Sequence, residues 1–115
     1  MILIGYKQCS TCNKIEKLLQ SKHLDYTYRE IDKKNPTPEE IKRWHETSGL
    51  DIKKFFNTSG RLYKDLKLAG QLESMVNQAK YDLLGKDGTL VKRPILLDGG
   101  AVYVGSAVEK YVSSR

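Results

Sequence analysis

Cys9 and Cys12 are the only two cysteines of this 115-residue chain, and they are separated by two residues. Such a pair can close a disulfide, supply half of a metal site, or be two small apolar residues at the start of a helix. The reactive form of cysteine is the thiolate. A helix N-terminus favours that form, because its free N–H groups and the positive end of its dipole stabilise an anion.

The two cysteines would have different roles at the start of a helix. Cys9 would precede the helix, so we predict that it is the nucleophile, with a pKa below the reference value of about 8.5. Cys12, one turn further on and less exposed, is predicted to resolve a mixed disulfide on Cys9. Ser10 and Thr11 could donate hydrogen bonds to the sulfur or to a bound oxyanion.

A metal site is one competing interpretation. Zinc needs about four ligands, and His23 and His45 are the only histidines that the chain adds to the cysteines. Their spacing matches no common zinc pattern, so we predict no metal and no bound cofactor. The structural interpretation, two small apolar residues at a helix start, stays open at this point.

Hydrophobic patterning indicates the elements that position the pair. An apolar run at residues 2–6 predicts a buried strand, and apolar residues at helical spacing predict a helix over residues 11–22. Residues 25–31 alternate and carry aromatic and β-branched side chains, which predicts a second strand. The pair therefore lies at the first strand-to-helix junction of a β-α-β unit.

The middle of the chain is predicted to be helical. Thr37 and Glu40 are spaced as a capping box, with Pro38 at the first helical position. Gly49 suits the end of that helix. A further helix is predicted over residues 72–84, where apolar residues recur at helical spacing.

Two strands and a helix are predicted near the C-terminus. Residues 92–97 form an apolar strand that is entered through Pro94. Residues 98–100 are a glycine-containing hairpin turn, and residues 101–104 are the returning strand. A second capping-box pattern at residues 106–109 predicts that the last helix opens with Ser at its N-cap.

This order of elements predicts an α/β, thioredoxin-like fold with a mixed four-stranded sheet and a helical insertion. We expect a single domain over residues 1–115. Residues 1–34 and 86–115 would form its thioredoxin-like part, and residues 35–85 the helical insertion. In that layout the loop before the third strand lies beside the first strand-to-helix junction.

Arg93 enters the predicted site through that layout. It would stand near Cys9, where a guanidinium can stabilise a thiolate or bind an oxyanion. Taken alone, Arg93 is typical of a surface arginine, and the combination with the cysteine pair favours a functional role.

The charge and hydropathy of the chain limit the classes of binding partner that we expect for it. The net charge is +6, but the basic residues are spread along the chain without an arginine-rich stretch, which favours solvated lysines over direct nucleic-acid binding. No segment has the apolar length of a membrane span, and we find no signal-peptide pattern. We therefore expect a cytoplasmic protein, and in a reducing compartment a close cysteine pair is typical of catalysis, redox sensing or metal binding.

Three motifs in this order resemble the ArsC-like family, which comprises glutathione- or glutaredoxin-linked arsenate reductases and Spx/MgsR type regulators. They are Cys9-Ser10-Thr11-Cys12 after a strand, Phe56-Asn57-Thr58-Ser59 after a short helix, and Arg93-Pro94-Ile95-Leu96 before the final hairpin. The resemblance covers almost the whole chain. It implies a thioredoxin-like fold with a helical insertion and a cis bond between Arg93 and Pro94.

The resemblance also implies roles for the site residues. Cys9 corresponds to the family's nucleophile, and Arg93 to the arginine that binds the oxyanion and activates the thiol. Cys12 matches the second cysteine of the Spx-like branch. The candidates for substrate binding flank these three residues: Ser10, Thr11 and Pro94.

Two functions follow from the resemblance. The first is a thiol-disulfide oxidoreductase with glutathione, a glutaredoxin or a thioredoxin as electron donor, and with an arsenate-type oxyanion as a candidate substrate. The second is an Spx-like, non-enzymatic regulator that binds the RNA polymerase α-subunit and uses the cysteine pair as a switch. Gly49 lies near the position of that branch's interface glycine.

Overall fold

The structure is a computed structural model that describes all residues, 1–115, and it divides into two compact units. Unit 1 comprises Met1–Lys34 and Arg93–Arg115, and unit 2 comprises Asn35–Lys92. The strands are β1 (Ile2–Gly5), β2 (Thr27–Glu30), β3 (Ile95–Asp98) and β4 (Ala101–Val104). The α-helices are α1 (Ser10–Ser21), α2 (Pro38–Ser48), α3 (Arg61–Asp65), α4 (Asn77–Leu84) and α5 (Ser106–Ser114). Short 3-10 helices occur at Ile52–Phe55, Leu68–Gly70, Leu72–Ser74 and Gly88–Leu90.

Unit 1 contains a four-stranded sheet in the order β2-β1-β3-β4. β1 runs parallel to β2 and antiparallel to β3, and β3 and β4 form an antiparallel hairpin. Gly99 and Gly100 both have positive φ, which the tight turn between β3 and β4 requires. The mixed sheet and the thioredoxin-like α/β fold predicted from the sequence are thereby confirmed.

Helices α1 and α5 pack on one face of this sheet. Leu3 of β1 lies opposite Leu96 of β3, and both are fully buried. The helices bury residues at helical spacing against them: Ile15, Leu19, Val108 and Val112. Burying each such side chain contributes about 1.5–3 kcal/mol, so this core fixes α1 and therefore the cysteine pair at its N-terminus.

Unit 2 contains α2, and its predicted ends are confirmed. The Thr37 side chain accepts a hydrogen bond from the Glu40 backbone N–H, and the Glu40 carboxylate accepts one from the Thr37 N–H. Gly49, at φ 69°, closes the helix in the left-handed conformation that glycine adopts most readily.

The single helix predicted over residues 72–84 is wrong. A 3-10 helix ends at Ser74, and α4 begins only at Asn77. Val76 between them has extended backbone and is 71% exposed, so its apolar side chain does not continue a buried helix face. Periodicity counted an apolar residue that the fold leaves in solvent.

The capping box predicted at residues 106–109 is also wrong. Gly105 is the N-cap of α5, with φ 64°, and Ser106 is the first helical residue. The Gly105 N–H donates to the Pro94 carbonyl at 2.8 Å, which ties the start of α5 to the residue before β3. Glycine supplies the positive φ that this entry requires.

Residues 86–92 group with unit 2, whereas the sequence pattern places them in the thioredoxin-like part. The Lys92 N–H donates to the Phe55 carbonyl at 2.8 Å, and Val91 forms an isolated antiparallel bridge with Phe56. These bonds hold the segment to unit 2 until Lys92.

No helix is both long and apolar enough to cross a lipid bilayer.

Candidate active site

Cys9 is the N-cap residue of α1, four residues after β1 ends at Gly5. Its backbone N–H donates to the Tyr6 carbonyl at 2.9 Å, and the Asn13 side chain donates to the Lys7 carbonyl at 3.0 Å. These two bonds shape the turn that precedes the helix. The first turn of α1 contains no acidic residue.

The surroundings of Cys9 favour its thiolate. Burial alone would raise the pKa of the Cys9 thiol, but hydrogen bonds act in the opposite direction and prevail. The donors are the Cys12 backbone N–H and thiol, the Arg93 guanidinium and the Thr11 backbone N–H. The net result is a lowered pKa on a thiol that is partly exposed, which is the combination that a nucleophile needs.

Cys12 is placed in the opposite environment. It is fully buried in the first turn of α1, and burial together with the neighbouring Cys9 raises the pKa of the Cys12 thiol to about 12. Cys12 therefore stays a thiol at neutral pH and donates its hydrogen bond to the Cys9 sulfur. Neither cysteine is in a disulfide.

Arg93 belongs to the same unit, although more than eighty residues separate it from Cys9. The Arg93–Pro94 bond is cis, as the resemblance implies, and Pro94 is buried. The Arg93 Cζ lies 5.5 Å from the centre of the Tyr6 ring, and its Nε is buried without a hydrogen-bond partner. The guanidinium lies close enough to Cys9 to lower the pKa of its thiol.

The lysine and hydroxyl side chains near Cys9 contribute less to stabilising its thiolate than their residue types suggest. The nearby lysines each pair with a carboxylate: Lys7 with Glu16 at 3.3 Å and Lys14 with Glu109 at 2.9 Å. Ser10 and Thr11 are exposed at the helix start, and Thr11 acts on Cys9 through its backbone N–H.

Gly5 and Tyr28 also border the pair, and sequence reasoning assigned neither of them to the site. A Cβ added to Gly5 would lie 2.7 Å from the Tyr28 hydroxyl oxygen and 3.0 Å from the Cys12 sulfur. Only glycine allows this close approach. A glycine inside an otherwise apolar strand is a signal that could have indicated it, whereas Tyr28 reads as an ordinary strand residue.

The two histidines lie in different environments. His23 is exposed just after α1 and has positive φ. His45, in unit 2, has its Nδ1 2.7 Å from the Tyr81 hydroxyl and meets the Phe55 ring edge-on. No group of three or more His, Cys, Asp or Glu side chains is arranged to hold a metal ion.

The sequence matches a known protein family and is similar to two proteins of Bacillus subtilis. The family model described as "ArsC family" matches residues 4–113. The chain is 41% identical over 106 residues to the uncharacterized protein YusI of Bacillus subtilis, covering 92% of this chain and 90% of YusI. It is 27% identical over 101 residues to the regulatory protein MgsR of the same organism, covering 88% and 79%.

Two solved structures share the fold over nearly their full lengths. An ArsC family related protein from Bacteroides fragilis superposes with a TM-score of 0.91 at 43% identity, covering 99% of this chain and 96% of that one. A structure described as a possible arsenate reductase from Streptococcus mutans has a TM-score of 0.87 at 37% identity, with coverages of 96% and 95%.

Proposed function

This chain belongs to the ArsC family, and from that premise we propose that it is a thiol-disulfide oxidoreductase in which Cys9 attacks the oxidised substrate and Cys12 resolves the product. The observation that carries the proposal is the opposite displacement of two pKa values within one helical turn, lowered for Cys9 and raised for Cys12. A structural cysteine pair has no need of that asymmetry.

The reaction follows from the asymmetry. The Cys9 thiolate attacks one sulfur of a substrate disulfide, forms a mixed disulfide, and releases the first substrate thiolate. The Cys12 sulfur then attacks the Cys9 sulfur, so the Cys9–Cys12 disulfide forms and the second substrate thiol leaves with the proton that Cys12 loses. Two external thiols restore the reduced pair and are themselves oxidised to a disulfide. Glutathione, a glutaredoxin or a thioredoxin is the donor that this chemistry calls for.

Residues around Cys9 would orient the substrate. Arg93 supplies a charged donor beside the sulfur, and its buried Nε retains one unused hydrogen bond. Pro94, which is buried, follows Arg93 through a cis bond and is a further candidate for substrate contact. The exposed hydroxyls of Ser10 and Thr11 lie at the mouth of the site, where they could bind a polar substrate group.

An arsenate-type oxyanion is the narrower candidate substrate. Arg93 is the only arginine among the groups that act on Cys9 or Cys12. A dianionic oxyanion binds best to several charged donors. We therefore rank small or protein disulfides ahead of arsenate.

A coupled turnover assay tests the proposal. Purified protein is given a small disulfide or arsenate, with glutathione and glutathione reductase, and NADPH oxidation is followed. Disulfide turnover that is lost in Cys9→Ser and reduced in Cys12→Ser supports the proposal. Wild-type protein without turnover on either substrate, with glutaredoxin or thioredoxin supplied, would contradict it.

The alternative function is redox-sensing regulation, and the similarity to MgsR favours it. In that case the Cys9–Cys12 disulfide would be a switch, and the RNA polymerase α-subunit would be the partner. Gly49 is exposed, and a Cβ there would contact nothing within 4 Å. Its helix-capping φ already accounts for glycine at this position.

A binding experiment separates the two functions. Reduced and oxidised protein are each titrated with the purified RNA polymerase α-subunit. Binding that depends on the oxidation state, in a protein without turnover, would establish the regulator. Turnover without such binding would establish the enzyme.

A further inference from the structure

The second step of the reaction, in which Cys12 attacks the mixed disulfide on Cys9, presents a difficulty that the two cysteines do not remove by themselves. Cys12 must react as a thiolate, yet it is fully buried and its pKa is raised. Before Cys9 is modified, the two sulfurs share a hydrogen bond in which Cys12 is the donor. Once Cys9 carries a substrate sulfur, it is no longer a thiolate acceptor. The Tyr6 backbone and Arg93 favour a negative charge on Cys12, but burial outweighs them, so a further donor would promote the attack.

The Tyr28 hydroxyl is a donor without a partner next to Cys12. Its oxygen is buried and makes no hydrogen bond. The oxygen and the Cys12 sulfur both come within 3.0 Å of the position that a Cβ on Gly5 would occupy, so they border the same small space. An unsatisfied buried hydroxyl is costly, and in a native protein it calls for an explanation.

The sheet register aims Tyr28 at this space. Tyr28 of β2 pairs with Leu3 of β1, and Gly5 is two residues further along on the same face of the strand. The phenol therefore extends along the sheet toward the start of α1. Because Gly5 has no side chain, the phenol oxygen and the Cys12 sulfur can both approach this position.

Charged and titratable groups around the phenol keep it protonated. Burial, followed by the nearby Cys12, Glu16, Cys9 and Glu30, raises the pKa of the Tyr28 hydroxyl. The Lys7 Nζ lies 3.8 Å from the centre of the ring and pairs with Glu16. Tyr28 can thus donate a hydrogen bond over the whole pH range in which thiols exchange.

We infer that Tyr28 is a positioning residue for resolution: its hydroxyl donates a hydrogen bond to the Cys12 thiolate as that sulfur attacks the mixed disulfide on Cys9. The inference rests on the proposed function. Tyr28 gains and loses no electrons. In the step it assists, Cys12 has already lost its proton to solvent, the Cys9–substrate bond breaks, the Cys9–Cys12 bond forms, and the substrate sulfur leaves as a thiolate. In the reverse step the same bond stabilises Cys12 as the leaving group.

A single-turnover experiment tests this inference. Reduced full-length protein is mixed with one equivalent of the chromogenic disulfide dithiobis(nitrobenzoate). Attack by Cys9 releases the first aryl thiolate, and attack by Cys12 on the resulting mixed disulfide releases the second. The two rates are followed by absorbance between pH 6 and 9 in wild type, Tyr28→Phe and Tyr26→Phe. Tyr26 is the matched control, because its hydroxyl donates instead to Glu16 at 2.7 Å.

We expect Tyr28→Phe to slow the second release about tenfold or more, since a hydrogen bond to a charged sulfur is lost. The pH at which that rate rises should shift upward, and the first release should stay within about twofold of wild type. Tyr26→Phe should leave both phases unchanged. Two results would overturn the inference: no second release in wild type, or a second release whose rate and pH profile are the same in Tyr28→Phe. A wild type without the first release contradicts the proposed function itself.

Discussion

Helices α1 and α2 begin in contrasting ways, although each is a helix of similar length. The N-terminus of α2 is closed by its own residues: Thr37 and Glu40 exchange hydrogen bonds, and Glu39 adds a second acidic side chain. The N-terminus of α1 has Cys9 at the cap position and no acidic residue in its first turn. Its free donors act on the sulfur of Cys9 instead.

The contrast separates two uses of the same physical property. A helix N-terminus attracts negative charge, and α2 meets that demand with carboxylates that stabilise the fold. In α1 no carboxylate does this, and the side chain at the N-cap is the Cys9 thiol, a group that can react. The difference teaches that a cysteine at the N-cap, in a first turn without acidic residues, is the feature by which α1 differs from an ordinary capped helix such as α2.

Cys9→Ser should have the largest effect, because it removes the difference between the N-termini of α1 and α2. Serine is a good N-cap residue, so α1 should become an ordinary capped helix and the free energy of unfolding should hold or rise by up to about 1 kcal/mol. Disulfide reduction should fall on the order of 10³-fold or more, because the nucleophile is gone. Urea unfolding and the coupled assay check the two effects, and substantial residual turnover would show that another group attacks.

Thr11→Glu gives α1 the acidic first turn that α2 already has. The added carboxylate should raise the pKa of Cys9, because a charge at a helix N-terminus is worth roughly 0.3–1 kcal/mol. Alkylation of Cys9 at pH 7 should slow about twofold to fivefold. Thr11→Gln is the uncharged control, and equal rates for the two variants would show that charge at this helix end does not act on Cys9.

Thr37→Ala changes the N-cap of the other helix, α2, and should leave Cys9 unaffected. Loss of the cap should lower the free energy of unfolding by about 1 kcal/mol. The pKa of Cys9 should not change, since Thr37 is not among the groups that act on it. Thr47→Ala, at an exposed site within α2, is the control for the substitution itself. A cap variant as stable as Thr47→Ala would contradict the assignment.

Local features of the fold could be predicted well from the sequence. The α2 capping box, the position of α1 and the glycine turn between β3 and β4 are encoded within a few residues of each other. The errors occurred where local pattern and tertiary packing disagree. Val76 was counted as buried, and Ser106 was taken for a cap that Gly105 provides.

The candidate site could be predicted only in part, and the reason is distance along the chain. The different surroundings of Cys9 and Cys12 follow from their places at one helix start. The placement of Arg93 beside Cys9 depended on the thioredoxin-like layout, since no local signal connects them. Tyr28 meets Cys12 through parallel strand register and the missing side chain of Gly5, which no periodicity reveals.

The most direct test of the central claim is the pKa of Cys9 in the Cys12→Ser background, measured from the alkylation rate against pH, with and without Arg93→Ala. A lowered pKa means that the rate reaches its plateau below the free-thiol value of about 8.5. We predict such a plateau, and a higher Cys9 pKa when Arg93 is removed, which slows alkylation at pH 6.5 by up to about tenfold. Arg115→Ala is the control, because Arg115 instead bonds to Asp98 at 2.7 Å. A Cys9 that titrates at or above 8.5, or a pKa indifferent to Arg93, would contradict the account.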